Sequence, residues 1–91
     1  MQIERSLSEL GDRLSRARAD LRIVEEQLVF QTDVLEDAKT RMLVSETPLA
    51  DRAFRVARDD YDRMRRERER VAAEVAELLA EQDRLLDRML G

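Results

Sequence analysis

The chain of 91 residues contains no cysteine, no histidine and no tryptophan, and it has only one proline and two glycines. The lack of cysteine and histidine excludes disulfides, thiolate nucleophiles and zinc sites of the Cys/His kind. Aromatic residues make up only 3% of the chain, and with few β-branched residues beside them no β-sheet is expected. No apolar run approaches the roughly 20 residues that span a bilayer. Because Glu4, Arg5, Glu9 and Asp12 interrupt the early apolar residues, no secretory signal peptide is expected either.

Charged residues are abundant instead, at 42% of the chain, with a formal net charge of −4. A composition rich in alanine, glutamate, leucine and arginine is typical of long amphipathic helices. A net negative charge disfavours general binding to nucleic acid, which requires a positive surface. The composition therefore predicts one small soluble domain, which we expect to be cytoplasmic and to carry no cofactor.

Apolar residues recur at alternating spacings of four and three in both halves of the chain. The first half contains Ile3, Leu7, Leu10, Leu14, Ala17, Leu21, Val24, Leu28, Leu35, Ala38 and Met42, and the second half contains Phe54, Ala57, Tyr61, Met64, Val71, Val75, Leu78, Leu85 and Met89. This seven-residue repeat predicts an all-α fold, a two-helix antiparallel coiled-coil hairpin that occupies residues 1–91 as a single domain.

The boundary between the two repeats lies in the segment Val44-Ser45-Glu46-Thr47-Pro48-Leu49-Ala50-Asp51, which holds the only proline. We predict helix 1 at about 3–45, a turn at about 45–48 and helix 2 at about 48–90. Thr47 is the predicted N-cap and Pro48 the first helical residue, where its missing N–H has no intrahelical partner to lose.

Two registers of the hairpin are compatible with the repeats. Folding about Glu46 places Leu28 opposite Met64, Leu21 opposite Val71 and Leu7 opposite Leu85. A register one heptad longer places Gln31 opposite Arg68 and needs a larger loop. We favour the tighter register because short connections make consecutive helices antiparallel neighbours.

Further apolar residues lie outside the predicted seam. Helix 1 carries Ile23, Phe30 and Val34, and helix 2 carries Ala72, Ala76, Leu79, Leu86 and Leu90. Ile23, Phe30, Val34, Leu79, Leu86 and Leu90 form the predicted association surface. Because both rows keep helical spacing, we expect the chain to form a homodimer, a four-helix bundle of two hairpins, or else to bind a partner helix.

Two clusters of charged residues are better explained as solvent-exposed helix surface than as a metal site or a nucleic-acid site. Asp59, Asp60 and Asp62 lie among arginines at helical i±3 and i±4 spacing, which indicates surface ion pairs rather than a metal site. The run from Arg63 to Arg70 alternates arginine with Glu67 and Glu69 and lacks aromatic residues that stack on bases, so direct nucleic-acid binding is not expected. No catalytic residue and no metal ligand is predicted, and we expect no enzymatic activity.

The segment Leu49-Ala50-Asp51-Arg52-Ala53 resembles the coiled-coil tip of the DksA/TraR transcription factors, in which a D-x-x-D-R-A-like segment ends a helical hairpin. Asp51-Arg52-Ala53 matches its last three positions, Pro48 replaces the first aspartate, and the cysteine zinc module of the family is absent. The resemblance implies a bacterial regulator whose hairpin enters the secondary channel of RNA polymerase. Its partner-binding tip would comprise Glu46, Asp51, Arg52 and Ala53.

A second family of helical hairpins, the cyclic-di-GMP-sensing anti-sigma factors of actinobacteria, carries a ligand motif E-x3-S-x2-R-x3-Q-x3-D that this chain lacks. A similar hairpin could still hold a sigma factor without the nucleotide. The sequence thus predicts a non-catalytic protein–protein interaction module, with a transcription regulator that binds RNA polymerase or a sigma factor as the alternative.

Overall fold

A computed structural model describes residues 2–91, which form two long helices. Helix α1 spans Gln2–Ser45 and helix α2 spans Pro48–Leu90, and only Glu46 and Thr47 connect them. None of the described residues belongs to a β-strand. The predicted all-α class, with two long helices, is therefore confirmed for this part of the chain.

The connection is closed by local backbone chemistry at both helix ends. Glu46 adopts a positive φ of 50°, and its N–H donates to the Met42 carbonyl at 3.1 Å, which closes the last turn of α1. Thr47 accepts a hydrogen bond at its Oγ1 from the N–H of Ala50 at 3.2 Å. This is the bond of an N-cap residue to the third helical residue, with Pro48 in the first helical position. The reversal is thus completed within two residues.

The chain divides into two compact units, and each contains a segment of both helices. The terminal unit consists of α1 up to Arg22 and α2 from Glu69 onward. Its core is a cluster of buried apolar residues, Leu10, Leu14, Ala17 and Leu78, against which Val75, Leu79 and Leu85 pack; Val71 is also buried in this unit. Leucine side chains from both helices therefore shield one another from water here.

The turn unit consists of Ile23–Arg68 and includes the connection between the helices. Only Val24 and Ala57 are buried in it. The remaining seam residues, Leu28, Leu35, Ala38, Met42, Ala50, Phe54, Tyr61 and Met64, are half-buried. Two helices cannot enclose bulky residues such as Phe54 and Tyr61 on all sides, so this seam stays partly open to solvent.

Contacts in the turn unit distinguish between the two registers. Arg68 Nη2 lies 3.5 Å from Glu25 Oε2, which puts Arg68 at the level of residues 24–25 rather than at Gln31. Within the turn unit the two helices therefore run antiparallel in the tighter register. Arg68 falls on the seam repeat in the sequence, yet its side chain is directed to the exposed edge, where the guanidinium finds a carboxylate.

Candidate functional site

The turn unit leaves an unusual number of large apolar side chains in contact with solvent. They are Ile23, Val29, Phe30, Leu43, Val44, Leu49 and Val56. Single exposed apolar residues are common on soluble proteins, but a contiguous set is characteristic of a binding surface.

One flank of the turn unit gathers several of them. We call groove flank the surface formed by Ile23, Phe30, Val34, Leu49, Ala53 and Val56. Ile23 and Phe30 are seven residues apart on α1, and Leu49 and Val56 are seven apart on α2. A spacing of seven returns a side chain to nearly the same side of a helix. Each helix thus contributes its own apolar row to this flank.

An open cavity of about 680 Å³ lies on this flank beside the connection between the helices. We call it the turn groove. Its apolar lining residues are Val34, Ala38, Leu49, Ala50, Ala53, Val56 and Ala57, and its polar ones are Asp37, Arg41, Ser45, Thr47, Arg52 and Asp60. Four of the lining residues are alanines, whose short side chains leave the space between the helices unfilled.

Two shallower depressions extend the turn groove along the same flank. The middle one is lined by Gln31, Asp60, Arg63, Met64 and Glu67, and the far one by Ile23, Glu26, Gln27, Phe30, Gln31 and Met64. Asp60 lines both the turn groove and the middle depression, and Gln31 and Met64 line both the middle and the far one. The three form one surface roughly 33 Å long from Ile23 to Ser45, by the rise of an α-helix.

Charged residues at the edge of this surface are paired and exposed. Arg41 Nη2 lies 3.1 Å from Asp37 Oδ2, and Arg63 Nη2 donates to Asp60 Oδ1 at 2.7 Å. Exposed ion pairs of this kind contribute at most about 1 kcal/mol and exchange partners easily. The pairs at this edge therefore contribute little to the stability of the fold.

The residues of the predicted tip occupy different places around the turn. Glu46 forms the connection and Asp51 lies in the first turn of α2, and both are exposed. Arg52 and Ala53 are exposed as well, and both line the turn groove. The tip and the groove are thus adjacent, and they share two residues.

The predicted association residues fall into the two separate units. Ile23, Phe30 and Val34 belong to the turn unit, where Ile23 and Phe30 line the far depression and Val34 lines the turn groove. In the terminal unit, Leu79 is half-buried against the core cluster, whereas Leu86 and Leu90 are exposed. Leu79 thus takes part in the packing of its own unit.

Leu49 and Val56 are groove-lining residues that the sequence pattern did not single out. Leu49 is 78% exposed and Val56 is 53% exposed, and both line the turn groove. Their spacing of seven on α2 was the available signal. The next residue at this spacing is Arg63, which is charged, so the apolar row has only two members and does not stand out from the seam repeat.

Acidic side chains of the described residues form ion pairs and no cluster that could hold a metal ion. Between residues 2 and 91 no group of three or more acidic residues is placed to hold a metal ion, and no polar or charged residue is buried. Asp59 and Asp60 instead pair with Arg58 and Arg63, at 3.7 and 2.7 Å. Neither described helix has an apolar stretch long enough to cross a membrane.

The chain matches no protein-family model, no curated protein and no solved structure. The resemblance of the tip to the DksA/TraR factors therefore stays a prediction.

Proposed function

We propose that this chain is a non-catalytic protein–protein interaction module, an adaptor or regulatory helical hairpin that binds through the groove flank of its turn unit. The observation that carries the proposal is the coincidence of an open apolar groove with large exposed side chains on the same flank. Phe30 is 64% exposed and Leu49 78%. Polar catalytic groups would have to converge in a pocket for an enzyme, whereas an apolar groove serves binding.

The energetics of the groove flank favour a helical partner. Burying a phenylalanine, leucine or valine side chain releases about 1.5–3 kcal/mol relative to leaving it exposed. Phe30, Leu49 and Val56 could therefore act as the few dominant contacts that most interfaces contain. A groove between two helices accepts the apolar face of a third helix, on which the apolar residues recur at spacings of three and four.

A second copy of this hairpin could also cover the groove flank. Two hairpins that pack on each other by one flank produce a four-helix bundle, in which each helix is covered by two neighbours. The half-buried seam residues of the turn unit, such as Phe54 and Met64, would then be enclosed more fully. A homodimer is therefore our preferred assembly.

The proposal is tested by comparing two neighbouring substitutions. Phe30→Asp places a charge on the groove flank, and Val29→Asp places the same charge at a side chain that lines none of the three depressions. The two wild-type side chains are almost equally exposed, at 64% and 65%. Light scattering of the purified chain at tens of micromolar, and retention of proteins from native extract, measure binding to itself and to others.

We expect Phe30→Asp to lose the association that Val29→Asp keeps, with both variants equally helical by circular dichroism. A wild-type chain that neither self-associates nor retains any protein would overturn the proposal. So would an association that both variants retain in full.

The second candidate is a transcription regulator whose tip contacts RNA polymerase or a sigma factor, in the cytoplasm like the first. It is supported by the exposure of Glu46 and Asp51 at the connection of the helices. Asp51→Asn removes the charge of the tip and leaves the Thr47 cap in place. A polymerase-directed tip should lose its effect in a transcription assay with this variant, and an unchanged effect would eliminate the second candidate.

A further inference from the structure

On the basis of the proposed function, we infer that the occupant of the turn groove is Phe30 of a second copy of this chain, and that the two turn units pack with their connections at opposite ends. The dimer is isologous, since each copy supplies one Phe30 and one groove. Four features of the turn unit lead to this arrangement: the exposed Phe30 side chain, the turn groove, the distance between them along α1, and the charged residues at the edge of the groove flank.

The projecting side chain and the hole are complementary in size. Phe30 is the largest of the exposed apolar residues, at 64% exposure, and it lines the far depression. The turn groove, at about 680 Å³, is walled by Ala38, Ala50, Ala53 and Ala57. Large residues that insert among small ones are the usual means by which helices interdigitate. A single chain has both parts on one flank but cannot bring them together.

The spacing along α1 fits a two-fold axis at Val34. Phe30 precedes Val34 by four residues and Ala38 follows it by four. A two-fold axis that passes Val34 at right angles to the helices therefore brings Phe30 to the partner's Ala38 in the turn groove. The same rotation brings Ile23 to the partner's Ser45, at the end of the groove. Val34 then meets the partner's Val34 at the centre, an apolar contact on the axis.

The charges at the edge favour connections at opposite ends. In this arrangement Glu26 lies at the level of the partner's Arg41, and Glu67 at the level of the partner's Arg52. Because the two-fold axis repeats each of these two pairs, opposite charges meet at four places in the dimer. Asp60 lies close to the axis, where its bond to Arg63 at 2.7 Å compensates its charge.

The alternative two-fold axis, parallel to the helices, puts like charges together. With both connections at one end, α1 of one copy faces α2 of the other at equal height, as Glu25 and Arg68 face each other within one chain. Arg41 would then meet the partner's Arg52, and Glu26 the partner's Glu67. Juxtaposed like charges suppress an association. The charge pattern therefore selects the first arrangement.

Disulfide trapping tests this geometry, because the chain has no cysteine of its own. We expect Val34→Cys to form a covalent dimer under mild oxidation, because its two copies meet on the axis. Val44→Cys should not crosslink, because ten residues on either side of the axis place its two copies roughly 30 Å apart, beyond the reach of a disulfide at about 7 Å between Cα atoms. Val29→Cys, away from the groove flank, serves as the second negative control.

A charge reversal tests the pairing at the edge. We expect Glu26→Arg to weaken the dimer by about ten-fold, and the double variant Glu26→Arg with Arg41→Glu to restore it. Dissociation constants from sedimentation or dilution light scattering measure both changes, and circular dichroism checks that the variants keep their helices. Failure of the double variant to recover would contradict the assigned pairs.

The outcomes separate this inference from the proposed function. A dimer in which Val44→Cys crosslinks and Val34→Cys does not would overturn the arrangement while self-association stands. A monomer that retains another protein through Phe30 would overturn the second copy as occupant, and the interaction module would survive. A monomer that retains nothing would overturn both.

Discussion

The two units of this chain use one heptad repeat in two ways. The terminal unit buries Leu10, Leu14, Ala17, Val71 and Leu78, whereas the turn unit buries only Val24 and Ala57. Conversely, among the described residues, seven of the exposed large apolar side chains belong to the turn unit, and Leu86, Met89 and Leu90 belong to the terminal unit. The terminal unit therefore has a buried apolar core, and the turn unit keeps most of its large off-seam apolar side chains exposed.

The seams of the two units also differ in the side chains that they carry. In the terminal unit, leucines from both helices meet and shield one another, as Leu14 and Leu78 do. In the turn unit, Phe54, Tyr61 and Met64 stay half-buried, because a second helix covers only one side of such bulky residues. Regions with little buried apolar contact open most readily, and binding surfaces are commonly drawn from them.

The largest effect should come from matched leucine truncations in the two units. Leu14→Ala removes a buried side chain and should lower the free energy of unfolding by about 3 kcal/mol. Leu43→Ala, at a leucine of the turn unit that is 63% exposed, should change it by less than about 0.5 kcal/mol. Urea denaturation at a single fixed protein concentration measures both. Equal losses would remove the distinction between the units.

Removal of the N-cap of α2 should have the next largest effect on the free energy of unfolding, and this effect should be confined to the turn unit. Thr47→Ala leaves the N–H of Ala50 without its hydroxyl acceptor and should cost about 1 kcal/mol. Thr40→Ala is the control, because that hydroxyl only donates to the Glu36 carbonyl within α1, at 3.0 Å. Hydrogen exchange of the first turn of α2 should accelerate in Thr47→Ala alone. Unchanged exchange in both variants would show that packing, not the cap, starts α2.

A stabilising change of similar size is expected in the terminal unit. Gly11 lies within α1, and a Cβ built there meets nothing within 4 Å. Gly11→Ala should therefore raise the free energy of unfolding by up to about 1 kcal/mol, because alanine loses less backbone freedom in a helix. Thermal and urea unfolding of the two chains measure the gain. A loss instead would mean that the glycine allows a close approach between helices.

The smallest effect should come from the ion pair between the helices of the turn unit. Glu25→Gln removes the carboxylate that faces Arg68 at 3.5 Å and should cost less than about 0.5 kcal/mol, since both groups are exposed. The difference should vanish at 1 M salt, where charges are screened within about 3 Å. Asp33→Asn provides the control at an exposed carboxylate of the same helix. A cost above 1 kcal/mol would indicate that this pair sets the register.

Much of the fold could be predicted from residue patterns because local rules act along a single helix. The seven-residue repeat indicated two long helices, and the single proline after Thr47 marked where the chain reverses. Pro48 fits only the first helical position, and the threonine hydroxyl supplies the cap bond to Ala50. The positive φ of Glu46, by contrast, was not foreseen, because no glycine or asparagine occupies that position.

The groove flank was only half predictable, because it belongs to two helices at once. Ile23, Phe30 and Val34 stood out on α1 by their spacing, but their counterparts Leu49 and Val56 on α2 did not. Whether two short rows lie on the same flank depends on the rotation of each helix about its axis and on the register. Leu79 shows the opposite case, since a residue of an outer row is half-buried against the core of its own unit.

The sequence by itself determined that this protein is helical and where its chain turns, because helix periodicity, capping and proline stereochemistry act within a few residues. Only the tertiary structure decided which apolar residues are covered. Burial depends on how completely neighbouring side chains surround a group, and that is a property of two packed helices. Leu14 and Phe30 are both apolar residues at helical spacing, and packing alone makes one of them core and the other surface.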